Sequence, residues 1–351
     1  MKQVILHIGM HKTGTTSIQN SLHGLETDGI RYARFPDMNH SKAMYTIFSG
    51  SRYKHHSWQS IGFTENQIDK EKDYFFKILE EELSDNSITK LVISGEDISA
   101  MSPAEQKILC SYFQSKNIIL KVVYIVRDPH NWSVSSIQQQ VKGGAKELLA
   151  ANPFYRRRIA GFIKGCGIEN ISIYKYEDLV KHGLIKSFSE IIGTKLKEKK
   201  RMNESMTLEA FSLILILNNL ELVTTRSLKQ FKKKQQFIQS VINFFSIKNG
   251  YTKINMECFD IVHKDVKEDL IWMKEQFGIS YALKNHDAKN KLSSEFNYSL
   301  SSKDLNAFFK FMKLAYDNNL SVKENLKVTY LKYKTNTATS IWKRLFRSYK
   351  V

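Results

Sequence analysis

Cysteine is scarce: Cys110, Cys166 and Cys258 are the only three in 351 residues. An odd number without CxxC spacing excludes a disulfide framework and a zinc ribbon, and leaves reduced, mostly buried thiols as the expectation. Proline is also rare, with four residues. No Pro- or Gly-rich linker and no internal repeat divides the chain into independent domains. Long apolar runs are missing too. Met1 leads directly into KQVILHIG, which breaks at Gly9, and the apolar stretches at 211–217 and 241–245 are far too short to span a bilayer. Neither a secretory leader nor a membrane span is expected, so the expected location is the cytoplasm.

The chain does hold 42% apolar residues and 12% aromatics, ample material for a core and too much for global disorder. Lysine and arginine outnumber aspartate and glutamate by 53 to 35, a formal charge of +18. That balance favours polyanionic partners, among them phosphates, acidic glycans, anionic lipid and nucleic acid. A lysine-rich solvated surface explains the charge equally well, so the charge needs a site to become a function.

Short β-branched runs at residues 4–8, 90–93, 120–126 and 171–176 read as buried strands, and each of the first three precedes a polar turn and a helix-compatible stretch. The first of those helices is expected over 17–25. The alternation predicts an α/β fold, a P-loop-like parallel sheet flanked by helices, with ligands beyond the carboxyl ends of the strands. It brings three loops together: 9–16, 94–97 and 127–129. Beyond about residue 200 the strand signal fades. TLEAFSLILILNNLEL and YSLSSKDLNAFFKFMKLAYDNN read as amphipathic helices with Thr207 and Ser302 as N-caps, and LKQFKKKQQFIQSVINFF as a basic helix. The expected organisation is an α/β core over 1–200 and a mostly helical C-terminal region over 201–351, ending in a basic tail over 321–351.

GMHKTGTTS, residues 9–17, sits between a predicted strand and a predicted helix, the setting of a phosphate-cradling loop. Gly9 and Gly14 permit tight turns, the amides of Thr13, Gly14, Thr15 and Thr16 can face anionic oxygens, and Thr15, Thr16 and Ser17 add hydroxyls. Lys12 supplies positive charge. A Walker A loop reads GxxxxGK(S/T), with lysine directly after the second glycine, whereas Lys12 lies two positions before Gly14. That order argues against an ordinary NTPase. HIGMHKTGTTSIQ instead closely resembles the 5′-phosphosulfate loop of the sulfotransferases that use 3′-phosphoadenosine 5′-phosphosulfate.

A second stretch, VVYIVRDPHNWSVSSIQQQ, carries Arg127 at a strand end and Ser135 eight residues on. Arginine suits phosphate because its planar fork donates two parallel bonds and keeps its charge. Alone, RDP equally describes a structural ion pair. Beside the first loop it resembles the arginine and serine with which sulfotransferases grip the 3′-phosphate. SSIQQQVKGG is similar to bacterial polysaccharide sulfotransferases, with Ile137 in place of the family's aromatic. ISIYKYEDL looks like the late YEDL strand of the family, and RMNESMTLEAF like a segment of its bacterial group. Arg201 with Lys199 and Lys200 is either a basic loop over the 3′-phosphate, as in relatives, or a solvated charge run.

The resemblance implies in-line sulfuryl transfer from that donor to a hydroxyl or amine, with a glycan acceptor such as a bacterial surface polysaccharide precursor. Lys12 would neutralise charge growing on the leaving phosphate. A monoanionic sulfuryl group needs less neutralisation than a phosphoryl group, so no metal is expected to be required. The general base must be a titratable group within reach of the acceptor, and His40 and Glu96 are the two candidates, with His55, His56, His130 and Asp97 behind them. The rival readings are a P-loop kinase and a non-catalytic basic protein that binds membrane or glycan. The tail around 342–349 interleaves aromatics with Lys343, Arg344 and Arg347, which suits an anionic membrane surface. No nucleic-acid-binding signature accompanies it.

Overall fold

The computed structural model describes residues 2–149, 151–199, 206–219, 228–251, 254, 265–282, 302–311 and 324. Strand β1 (Gln3–His7) is buried from Val4 through His7, as a strand covered on both faces must be. It pairs in parallel with β4 (Lys90–Ser94) on one side and β5 (Ile119–Val126) on the other. Strand β3 (Ile30–Tyr32) lies parallel beyond β4, β6 (Ile171–Lys175) parallel beyond β5, and β2 (Glu26–Thr27) closes the edge antiparallel to β3. The order of the six-stranded sheet is β2-β3-β4-β1-β5-β6. The chain builds outward from β1 in both directions, so the carboxyl ends of β4, β1 and β5 open on one crevice.

The expected α/β fold is therefore present, and each predicted strand is found to within a residue or two at its ends. The β2–β3 hairpin was not expected. It turns on Asp28 and Gly29, both left-handed at φ 48° and 73°, the pair a two-residue hairpin requires.

Among the described residues up to 199, nine helices follow in order: α1 (Thr15–Leu22), α2 (Ser41–Phe48), α3 (His56–Ile61), α4 (Glu65–Ser84), α5 (Pro103–Ser115), α6 (Pro129–Gly143), α7 (Ala160–Cys166), α8 (Tyr176–Lys181) and α9 (Leu184–Ile192). Capping boxes start α4 (Thr64 with Gln67) and α5 (Ser102 with Glu105), and Pro103 occupies the first turn of α5. On one face of the sheet Ile18, Leu22, Phe188 and Ile192 pack with Ile5, Val92, Val123 and Ile125. On the other, Phe75, Leu79, Leu109, Phe113 and Phe162 pack with Val4, Leu6, Leu91, Ile93 and Val122. Each such side chain contributes about 1.5–3 kcal/mol by leaving water, and a one-residue slip of β1 would exchange its two faces. Buried Arg31 on β3 joins the hairpin to α4 through Glu82 at 3.1 Å and Asp85 at 2.7 Å.

The chain forms two compact units. The described residues of the first are 2–137, 149, 151–199 and 265–282. They include helix α12 (Val266–Phe277), which buries Val266, Leu270 and Met273 in the same cluster as Val4 and Leu6. The second unit holds residues 138–148 together with α10 (Leu208–Asn219), α11 (Leu228–Phe244) and α13 (Ser302–Phe311). Beyond residue 205 every described regular element is helical.

Helix α10 is not amphipathic as expected. Ala210 through Asn218 are all buried, because the run FSLILIL is apolar at every position but Ser212 and suits a helix enclosed on all sides. Thr207 accepts the Ala210 amide at 3.3 Å as an N-cap would, and its hydroxyl donates to the Phe245 carbonyl at 2.6 Å. Ser302 opens α13. Among the described residues no helix is long and apolar enough to cross a membrane. Cys258, Lys200, Arg201 and, apart from residue 324, the basic tail over 321–351 lie outside the described residues.

Candidate active site

The loop after β1 first continues the ladder: Ile8 and Met10 donate to the carbonyls of Val123 and Ile125. It then coils. Lys12 and Gly14 take left-handed backbone at φ 70° and 73°, an alternation that turns successive amides toward a common point. Thr13 is fully buried and closes the loop with a 2.6 Å hydrogen bond to the Met10 carbonyl. A Cβ on Gly9 would stand 2.8 Å from His7 Nε2 and 2.9 Å from Thr13 Oγ1, and one on Gly14 would stand 2.4 Å from Leu184 Cδ2. Gly9 is fixed by the crowding of buried His7 and Thr13, and Gly14 by its left-handed backbone.

Helix α1 begins at this loop without a side-chain cap, unlike α4 and α5. Its first-turn amides at Thr15 and Thr16 have no intrahelical acceptor, and the helix dipole adds partial positive charge there. The hydroxyls divide. Thr13 and Thr15 are buried, whereas Thr16 is exposed and Ser17 half-buried.

Arg127 leaves the end of β5 and its Nη1 donates to the Lys12 carbonyl at 2.8 Å. Its guanidinium lies over the Tyr176 ring at 5.2 Å, and its own carbonyl accepts the Tyr155 hydroxyl at 2.6 Å. Arg127 Nε is buried without a hydrogen-bond partner, an unfilled donor beside the loop. Asp128 caps the next helix, its Oδ1 accepting the Asn131 amide at 2.9 Å. Ser135 follows, half-buried within α6. Ile137 is fully buried in the core and offers no ring to stack a base.

Lys12 is half-buried, and desolvation lowers its pKa; Glu96 opposes that shift and Arg127 adds to it. Lysine, glutamate and arginine from the ends of β1, β4 and β5 thus share one electrostatic neighbourhood. Glu96 opens a 3-10 turn after β4, and Gln19 on α1 donates to its Oε2 at 3.4 Å. The close approach that holds this turn depends on Gly95, where a Cβ would stand 2.6 Å from the Ser41 amide nitrogen. Asp97 donates its own amide to Ser41 Oγ at 3.0 Å.

His40 occupies a different setting. It is 1% exposed, stacked on Tyr32 at 4.2 Å and edge-on to Phe35 at 5.1 Å. Its Nδ1 accepts the Ser94 amide at 3.3 Å, and burial pushes its pKa down to about 3. This geometry is that of a neutral latch between the start of α2 and the end of β4. His130 lies half-buried in the first turn of α6.

Three residues at the site carried no role in the sequence reading. His7, fully buried, lies beneath Gly9 with Nδ1 2.8 Å from Ser94 Oγ, its pKa pushed to about 3 by burial. Tyr176, from the YEDL segment, backs Arg127. His11 stands inside the loop with Nε2 3.1 Å from Asp97 Oδ1 and Nδ1 3.8 Å from Glu96 Oε1. A histidine next to the loop lysine was the available signal. Asp97 also gathers His55 at 3.4 Å and His56 at 4.0 Å. Burial alone would raise the Asp97 pKa, but its neighbours His11 and His55 prevail and hold it well below the usual carboxylate range.

No protein-family model matches this chain, and no curated protein does. Several solved structures show a distant likeness to it. A sulfotransferase from Alicyclobacillus acidocaldarius is similar at TM-score 0.39 and 8% identity, over 67% of this chain and 96% of its own. The sulfotransferase domain of the Synechococcus PCC 7002 olefin synthase is similar at 0.36 and 13%, over 80% and 96%. A structure of the PezAT toxin–antitoxin system of Streptococcus pneumoniae is similar at 0.30 and 12%, over 67% and 87%.

Proposed function

We propose that this protein is a sulfotransferase that moves a sulfuryl group from 3′-phosphoadenosine 5′-phosphosulfate to a hydroxyl or amine, with a glycan as acceptor. The observation that carries the reading is the 2.8 Å bond from Arg127 to the Lys12 carbonyl. It holds the strand-end arginine against the Gly/Thr loop, with a buried guanidinium nitrogen still unfilled, which supports reading the two as one anion-binding wall. Two donor sets side by side suit a nucleotide phosphorylated at two positions, the 5′ side on the loop and the 3′ side on Arg127 and Ser135.

When bound, the donor supplies a sulfuryl group on a phosphate leaving group. The uncapped amides of Thr15 and Thr16, with Lys12, hold the charge that grows on that phosphate, and a preorganised donor set stabilises it more in the transition state than in the ground state. Arg127 and Ser135 fix the other end, which aligns donor with acceptor. We assign the general base to Glu96, whose carboxylate shares the neighbourhood of Lys12 and His11, in preference to His40, whose ring is enclosed by Tyr32 and Phe35. The reading places the protein in the cytoplasm, where the donor and a polysaccharide precursor meet, with the basic tail as its contact with an anionic membrane surface.

Ligand stabilisation tests the donor. A ligand at about 100 times its Kd adds ~2.7 kcal/mol to a native state that alone binds it, which raises Tm by roughly 4 °C in a chain of this size. Adenosine 3′,5′-bisphosphate should produce that rise and ATP with magnesium should not. The reverse result would indicate a kinase. Transfer of labelled sulfur to a panel of glycans then identifies the acceptor.

A further inference from the structure

We propose that His55, His56 and Asp97 form a binding site for a divalent transition-metal ion of the Zn²⁺ class, beside the loop and independent of the transfer reading. One ligand atom from each lies within 4.8 Å of the others. His55 Nε2 and His56 Nδ1 stand 3.4 and 4.0 Å from the same oxygen, Asp97 Oδ2. Ligand atoms around a tetrahedral Zn²⁺ are separated by ~3.3 Å, given metal–ligand bonds of about 2.0–2.1 Å, so small side-chain adjustments would complete the triangle. A second observation is independent of proximity. The His55 side chain is 4% exposed, and its Nε2 is a buried nitrogen without a hydrogen bond. A buried imidazole aimed at a carboxylate next to a second imidazole is costly to leave unused.

The donor set selects the ion. Two imidazoles and one carboxylate suit Zn²⁺, Co²⁺ or Ni²⁺, whereas Mg²⁺ and Ca²⁺ prefer all-oxygen shells. Binding requires Nε2 of His55 to give up its proton, which passes to Nδ1. The contact in which Nδ1 accepts the Ser57 amide is already long at 3.4 Å, and it would open. Asp97 Oδ1 keeps its 3.1 Å contact with His11, a residue of the phosphate loop, so an ion at Oδ2 would be felt there.

Titration of the untagged, full-length protein with Co²⁺ tests the site. The expected result is one equivalent bound with the intense visible absorption of four-coordinate Co²⁺, displaced by Zn²⁺ and unaffected by Mg²⁺. His56 is 75% exposed, so His56→Ala removes a ligand without touching the core, and affinity should fall by about tenfold or more. Asp97→Asn should do the same, whereas His23→Ala should bind as the wild type does. Absence of a stoichiometric Co²⁺ spectrum overturns the proposal. So does a spectrum that both His56→Ala and Asp97→Asn retain with unchanged affinity, since the ion would then sit elsewhere.

Discussion

Lowering the pH from 7.5 to 5.5 should cost this fold about 3 kcal/mol of stability, and two histidines outside the proposed chemistry should account for it. His7 and His40 are both held near a pKa of about 3 by burial, against about 6.5 in an unfolded chain. A base whose folded pKa is depressed binds fewer protons in the native state. Its stability contribution is therefore intact above pH 6.5 and is lost as the pH falls toward the folded value, by about 1.4 kcal/mol per pH unit per group. At pH 5.5 each histidine is about one unit into that window, and two together give roughly 3 kcal/mol. The depressed carboxyls of Asp85 and Asp97 act only below the ordinary aspartate range near 3.9 and leave this window clean. Urea unfolding followed by tryptophan fluorescence reads mainly the unit concerned, since Trp58, Trp132 and Trp272, three of the four tryptophans, belong to it. His40→Asn, which keeps an acceptor for the Ser94 amide, should halve the loss. A stability independent of pH between 7.5 and 5.5, or a loss that His40→Asn leaves unchanged, would refute the reasoning.

Three further outcomes are expected. Lys12→Ala should lower single-turnover sulfuryl transfer by about 100- to 1,000-fold, the scale of removing a transition-state charge donor, with the fold intact by circular dichroism. Glu82→Ala should destabilise by about 3 kcal/mol or more in urea titration, because Glu82 is 1% exposed and its loss strips Arg31 and Arg34 of partners in a buried network. Gly95→Ala should cost about 1–3 kcal/mol and weaken binding of adenosine 3′,5′-bisphosphate, because the new Cβ would push the Glu96 turn off Ser41; calorimetric titration reads the affinity.

The course of the loop after β1 was legible in the sequence because its signals are local. A β-branched strand, two glycines, a lysine and a helix start lie within residues 4–22, and strand-to-helix context fixes where their amides point. The arginine needed one longer inference, that the parallel order brings the end of β5 beside the end of β1. His40 read as an open histidine because its burial comes from Tyr32 and Phe35, and nothing in the segment says that three aromatic rings will fold onto one another. The β2–β3 hairpin did have a local mark, the Asp-Gly pair, but strands of two and three residues carry too little alternation to register. Helix α10 differs from the amphipathic expectation because its apolar residues fall on every side of the helix, with Ser212 alone interrupting the run from Phe211 to Leu217.

The histidine cluster marks the limit of sequence reading, and the reason lies in loop closure. His11, His55 and Asp97 come from three separate loops, separated by 44 and 42 residues, and no pattern of spacing announces that one carboxylate will collect them. The parallel sheet does so because β1 and β4 are neighbours with their ends in register, His7 opposite Ser94. The residues just past those ends, His11 and Asp97, must then face each other across the crevice. The same adjacency sets Lys12 beside Glu96. A histidine bound to Asp97 and a lysine near Glu96 alternate along one loop and one turn, so whatever shifts the Asp97 cluster also moves the proposed base. Transfer rate and Co²⁺ affinity should therefore respond together to Gly95→Ala, which disturbs the shared turn. His56→Ala, which touches only the cluster, should separate them by weakening the metal while leaving metal-free transfer intact.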